Sequence, residues 1–196
     1  GILDEVKLAG ISSSMLSIIT FNYDRSLENY LHAKFLSGTE YPEPEVIRVL
    51  NSIRIHHIHG VLGALPWQNE QYTREYGSKI TSDTVAKSAE GILLSHNWDS
   101  RSFSGLAHDL IEDAERIIFL GFGYASSNLK KLGIKSMGGL DKKRIHGTRY
   151  KLSSARFDDQ AIEFPELAAI RNTPEHVDIA DFAANHETFG RKVVRS

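Results

Sequence analysis

The chain contains no cysteine. That absence removes disulfides, thiol chemistry and any zinc ribbon built from these residues. It agrees with a reducing compartment, and the cytoplasm is the expected location. No apolar run approaches the roughly 18 residues that cross a bilayer, and no signal-peptide pattern opens the sequence, so no membrane partner is expected. Charge of one sign is not in excess either. With 23 basic and 25 acidic residues the formal net charge is -2, which argues against a broad polyanion-binding surface and gives no indication of nucleic acid. The sequence also lacks a phosphate-cradling P-loop, a Ser/His/Asp elbow and a carboxylate pair at a convincing spacing. Those chemistries are set aside.

What is present is an ordinary soluble composition, 41% hydrophobic and 24% charged over 196 residues. That length suffices for a real core. The chain is organised around Ser17 to Asp24, Ser-Ile-Ile-Thr-Phe-Asn-Tyr-Asp. Here a short apolar run, apolar enough to be buried on both faces, ends abruptly in an amide and a carboxylate. In an open parallel sheet this is how a strand delivers polar side chains to the crevice at its carboxyl end. Two later stretches repeat the layout, Ile53 to Gly60 ending in His59-Gly60, and Arg116 to Tyr124 ending in Gly121-Phe122-Gly123-Tyr124.

Between them the patterns alternate. Leu27, Tyr30, Leu31 and Phe35 fall on one face of a helix that Asp24 is placed to cap. Pro44 suits the first turn of a helix carrying Val46, Val49, Leu50 and Ile53. Arg54–His59 and Ile92–Leu94 read as strands, the stretch from Gln68 to Lys79 as a surface loop, and Ser82 or Asp83 as the cap of a helix stopped by Gly91. Phe103, Leu106, Ala107, Leu110, Ile111 and Ala114 form a continuous apolar stripe, followed directly by the apolar strand Ile117–Leu120. A short helix from Ser126, a last strand in Ile145–Leu152 and a helix from Asp158 to Ala169 interrupted by Pro165 complete the pattern. Ile2 to Ala9 reads as the end of a helix. Alternation of this kind predicts an α/β fold, a parallel sheet covered by helices on both faces.

Several residues have both a functional and a structural role open to them. Asn22 can present its amide to a ligand or satisfy its own turn, and Asp24 can face the crevice or cap the helix. His59, at a strand end before Gly60, suits a general base near neutral pH. Two histidines on one strand, His57 and His59, make at most part of a metal site, and His57 reads as structural. The Gly121-Phe122-Gly123 turn can approach a phosphate or ribose closely, or serve as a tight strand-to-helix connection.

Together these strand ends resemble the sirtuin-like family. Thr20-Phe21-Asn22-Tyr23-Asp24 looks like the family's Thr-Gln-Asn-Ile-Asp segment in a divergent bacterial form. Ile58-His59-Gly60 is similar to the strand carrying the family histidine, and Ile118 to Tyr124, with Asn128 beyond it, to the late glycine turn. Ile145-His146-Gly147-Thr148 is similar to the closing strand of the bacterial branch. The resemblance implies a Rossmann-like open parallel sheet binding NAD over residues 1–152, followed by a helical appendage or tail over 153–196. It implies that Asn22 holds the nicotinamide ribose, Asp24 the carboxamide, and that His59 is the base. Gly121, Gly123, Tyr124 and Asn128 would line the dinucleotide. The sequence departs from the family in three places: nothing before Ser17 matches the opening strand and phosphate loop, Phe21 replaces the glutamine, and the four zinc-binding cysteines of the deacylases are absent. No zinc is therefore expected. The implied activity is cleavage of the nicotinamide–ribose bond, as in the bacterial NAD-consuming branch, many of whose members serve in antiviral defence. The alternative is a non-catalytic module that senses a nucleotide or binds a partner, and either reading leaves room for a homo-oligomer or a partner domain.

Overall fold

Two lengths of parallel backbone ladder set the architecture. The computed structural model describes residues 16–38, 40–68, 73–92, 103–134, 144–170 and 173–185. The fold is mixed α/β, and the chain divides into two compact units, residues 1–99 and 100–196. Each unit contains its own two-stranded parallel sheet. The expected helix end at Ile2–Ala9 lies outside the described residues.

In the first unit, β1 (Ser17–Thr20) pairs in parallel with β2 (Arg54–His57), from Ser17 opposite Arg54 to Thr20 opposite His57. Between them run α1 (Ser26–Gly38) and α2 (Glu43–Ser52). A parallel pair needs such a crossover, because a tight hairpin can join only antiparallel strands. Pro44 stands in the first turn of α2, where a missing N–H costs nothing. Phe35, Val46, Val49, Leu50 and Ile53 pack into one core cluster. At about 1.5–3 kcal/mol per fully buried large apolar side chain, this cluster is the main stabilising element of the unit.

Five expectations for this unit need correction. All four residues of β1 are half-buried, so the strand is not covered on both faces. The buried face of α1 runs through Glu28 and Phe35, whereas Tyr30 is 59% exposed. Ile92 forms an isolated antiparallel bridge with Gly60 rather than joining a parallel ladder, and Leu93–Leu94 lie outside the described residues. Strand β2 also ends earlier than its alternation suggests. The ladder continues through Ile58 N–H to the Thr20 carbonyl, but Gly60 N–H bonds back to the His57 carbonyl and turns the chain. Helix α3 (Ser82–Glu90) is capped one residue before the expected positions, by the reciprocal Thr81–Thr84 pair, and stops at Gly91.

In the second unit, α4 (Phe103–Glu112) leads into β3 (Arg116–Phe119), which pairs in parallel with β4 (Arg144–Gly147). Ala107, Leu110 and Ile111 of the expected stripe are buried, while Leu106 is 47% exposed. Helix α5 (Ser126–Lys131) lies between the strands, and Gly133 follows it at φ +70°. Helix α6 (Ser154–Glu163) starts earlier than periodicity predicts because the Ser153 hydroxyl accepts from Arg156 N–H. Pro165 ends it, and a 3₁₀ segment, Pro165–Ile170, continues the path. Phe157, Phe164, Leu167, Ile170 and Phe182, the last on α7 (Ile179–Asn185), are all buried. Residues beyond Ser153 thus supply much of this unit's core.

Candidate functional site at the strand ends

Parallel pairing places the carboxyl ends of β1 and β2 at the same edge of their sheet. Asn22 follows one and His59 the other. The loops are tied together by Leu62 N–H bonding to the Tyr23 carbonyl, and by the Phe21 ring meeting the His59 imidazole edge-on at 5.7 Å between centroids. Asn22 is exposed, His59 is half-buried, and the Asn22 backbone N–H is held by the Thr20 hydroxyl at 3.1 Å. The edge therefore offers an amide and an imidazole on two neighbouring, locally fixed loops.

Asp24 takes the capping role in a modified form. Its Oδ1 accepts from Ser26 N–H at 2.9 Å, one position earlier than a standard cap, while the first helical bond runs from Asn29 N–H to the Arg25 carbonyl. The hydrogen bonds from Ser26 hold the Asp24 carboxyl below the usual range. A charged acceptor at the start of α1 also suits the positive end of the helix dipole.

Beneath this edge lies a polar network that periodicity missed. His57, read as structural, is 6% exposed, and its Nδ1 lies 2.7 Å from the Asn22 carbonyl. Its Nε2 lies 2.7 Å from Glu28 Oε1, and Glu28 is 2% exposed. Arg25 Nη1 reaches the same oxygen at 3.1 Å, and Arg25 Nη2 donates to Gln68 Oε1 at 2.5 Å. Burial raises the Glu28 carboxyl, but the His57 hydrogen bond and the Arg25 charge outweigh it and hold the group below its ordinary value. A carbonyl can only accept, so Nδ1 faces Asn22 as a donor, and Nε2 faces the Glu28 carboxylate. His57 therefore braces the backbone of Asn22 from below. The signal for Glu28 was present in the sequence: it stands three residues after Arg25 and two helical turns before Phe35, on the face that packs inward.

The glycine turn of the second unit is built differently. Gly121 sits at φ +61°, where a β-carbon is strained, and its N–H donates to the Thr148 hydroxyl at 2.9 Å. Tyr124, at φ +52°, is fully buried and gives its hydroxyl proton to the Thr148 carbonyl at 2.7 Å. Burial pushes that phenol up, and nearby Arg149 only partly offsets the effect. Its ring packs among Phe119, Phe122 and Phe157 with centroids 5.2–5.7 Å apart. Gly147 has no alternative, because a β-carbon there would stand 2.5 Å from the Tyr124 hydroxyl. Gly123 is exposed, and Asn128 is half-buried on α5 with its backbone in helical bonds. So Tyr124 serves the core through its side chain, and the Gly121 N–H is already engaged.

Among the described residues, His108, Asp109 and Glu112 bring metal-ligand atoms together on α4, with both carboxylates exposed. Both ring nitrogens of His57 are engaged, one by Asn22 and the other by Glu28. No described helix is long and apolar enough to cross a membrane. No protein-family model, no curated protein and no solved structure matches the chain.

Proposed function

We propose that the chain is a sirtuin-like, Rossmann-type NAD-binding domain that hydrolyses the nicotinamide–ribose bond, with the edge formed by Asn22 and His59 as its reacting face. The observation that carries this reading is the parallel pairing of β1 with β2, which puts Asn22 and His59 at one sheet edge, exposed and half-buried respectively. Breaking that bond develops positive charge on the ribose, so the protein's task is to hold the sugar and bring a nucleophile to it. Water adds to the anomeric carbon, nicotinamide departs neutral, and the proton released by the water passes to His59. Asn22 cannot transfer protons and acts by positioning, with its backbone fixed through Thr20 and His57. Asp24, held by Ser26 N–H at 2.9 Å, is the acceptor for the carboxamide.

One observation favours the non-catalytic alternative. The Gly121 N–H, which the resemblance directs to the dinucleotide, is spent on Thr148. A nucleotide-sensing or partner-binding module with an incomplete pocket would show this pattern.

Nicotinamide release from NAD separates the two. The catalytic reading predicts that His59→Ala lowers release by about 10²- to 10⁴-fold and that Asn22→Ala is comparably severe, both variants remaining folded by circular dichroism. Full release by a folded His59→Ala protein removes the residue from the mechanism. No release by the parent, with NAD still raising its melting temperature, favours the sensing module.

A further inference from the structure

Residues 73–78 are polar and without a clear apolar period, yet they are closely built. Thr73 bridges in parallel to Ala64, and Arg74 N–H bonds to the Ala64 carbonyl at 2.8 Å. Ser78 N–H closes on the Glu75 carbonyl at 3.2 Å around Tyr76 and Gly77, and Gly77 takes φ +74°, which favours glycine. Arg74 clamps the far side of this turn, its Nε donating to the Ser78 hydroxyl at 2.9 Å and its Nη2 to the Ser78 carbonyl at 3.2 Å. These contacts converge on one placement. Tyr76 stands at the apex with its ring exposed, and its hydroxyl lies 2.8 Å from that of Ser26, 50 residues earlier in the chain.

Ser26 is the residue that holds Asp24. Its N–H donates to Asp24 Oδ1 at 2.9 Å, and its side chain is the strongest influence lowering the Asp24 carboxyl, ahead of that N–H and of the His57 charge. A serine hydroxyl has one proton to give, and an ionised carboxylate is its better acceptor. That proton therefore goes to Asp24, and the Tyr76 phenol donates to Ser26 Oγ. We infer that Tyr76 is a positioning residue, fixing the Asp24 carboxylate through Ser26 and so coupling residues 73–78 to the edge after β1. Hydrogen bonds in a chain that ends on a charge polarise one another, so the loss of the outermost donor is felt at the carboxylate. The inference rests on the NAD reading for its ligand, the nicotinamide carboxamide, and on hydrogen-bond geometry for the chain of contacts.

The test uses the whole chain, a carboxyl-carbon NMR titration of Asp24, and amide NMR with two ligands, nicotinamide and ADP-ribose, the dinucleotide without that ring. Tyr76→Phe keeps the ring and removes the hydroxyl. It should raise the Asp24 midpoint toward the ordinary value of 3.8. Nicotinamide should bind about fivefold more weakly, the effect of one hydrogen bond, while ADP-ribose stays within about twofold of the parent. Adding Tyr76→Phe to Ser26→Ala should bring no further loss, because the link is already broken. Both side chains are exposed, so the variants are expected to fold. An unmoved Asp24 midpoint, unchanged nicotinamide binding, or full additivity of the two substitutions overturns the inference. Equal weakening of nicotinamide and ADP-ribose makes the turn structural only and overturns it as well. A parent that binds ADP-ribose at the edge but not nicotinamide overturns the role of Tyr76 and leaves the NAD reading standing. A parent whose edge responds to neither ligand overturns both.

Discussion

The two units solve the same problem in opposite ways. Each ends a pair of parallel strands in a turn rich in polar and small residues. In the second unit those groups close on one another: Gly121 on the Thr148 hydroxyl, Tyr124 on the Thr148 carbonyl, with the phenol sealed among aromatic rings. In the first unit the polar groups are layered. His57, Glu28 and Arg25 are engaged with one another, while Asn22 is exposed and His59 half-buried at the strand ends. A turn braced through its backbone leaves the exposed Asn22 side chain at the surface, which is why the proposed reacting edge lies in the first unit.

The largest effect expected from breaking this contrast is at His57. His57→Ala leaves Glu28 buried and weakly compensated, and removes the brace on Asn22. Deleting one partner of a buried pair typically costs about 3–5 kcal/mol, which chemical denaturation of the variant should read directly. A cost within about 0.5 kcal/mol of the parent would mean that the network supports nothing. Acid probes the same pair without mutation. Glu28 is held below its ordinary value of 4.5 in the folded chain, so its contribution is fully present above that value and is lost as pH falls through the folded one. Melting temperature should therefore drop more steeply below about pH 4.5 in the parent than in Glu28→Gln.

A smaller effect is expected in the second unit. Tyr124→Phe keeps the ring packing but leaves the buried Thr148 carbonyl without this donor, for a cost of about 1–3 kcal/mol. Its activity should not change if that turn is structure alone. Reduced nicotinamide release at unchanged stability would instead move the functional edge toward the glycine turn. The smallest effect is at Asn22. Its side chain is exposed, so Asn22→Ala should alter stability by no more than about 0.5 kcal/mol while release collapses. That separation of stability from activity is what the layered arrangement requires.

Local pattern made a good part of this legible. Pro44 with Val46, Val49 and Leu50 marked α2 nearly to its ends, and the run from Arg116 marked β3. Both carry strong local signals, a proline at a helix start and an unbroken apolar strand. Periodicity misled where one side chain overrode it. Tyr30 was expected on the buried face of α1, but Glu28 occupies that face because His57 and Arg25 make its burial affordable. No window along one helix can reveal a partner on β2, more than a crossover away in sequence. The same holds for Tyr124: its place beside Gly123 suggested a ligand contact, while its burial depends on Phe157 and Thr148, far along the chain. Strand positions were legible but not their exact ends, and which polar groups were already engaged was not.

The central claim is that ligand meets this chain at the edge after β1 and β2 of the first unit. Backbone amide NMR of the whole chain, titrated with NAD to millimolar concentration, tests it most directly. The account predicts saturable shifts at Asn22, Tyr23, His59 and Gly60, with the amides of Gly121 and Gly123 shifting less. Shifts confined to the segment from Gly121 to Asn128, or none at all, would contradict it.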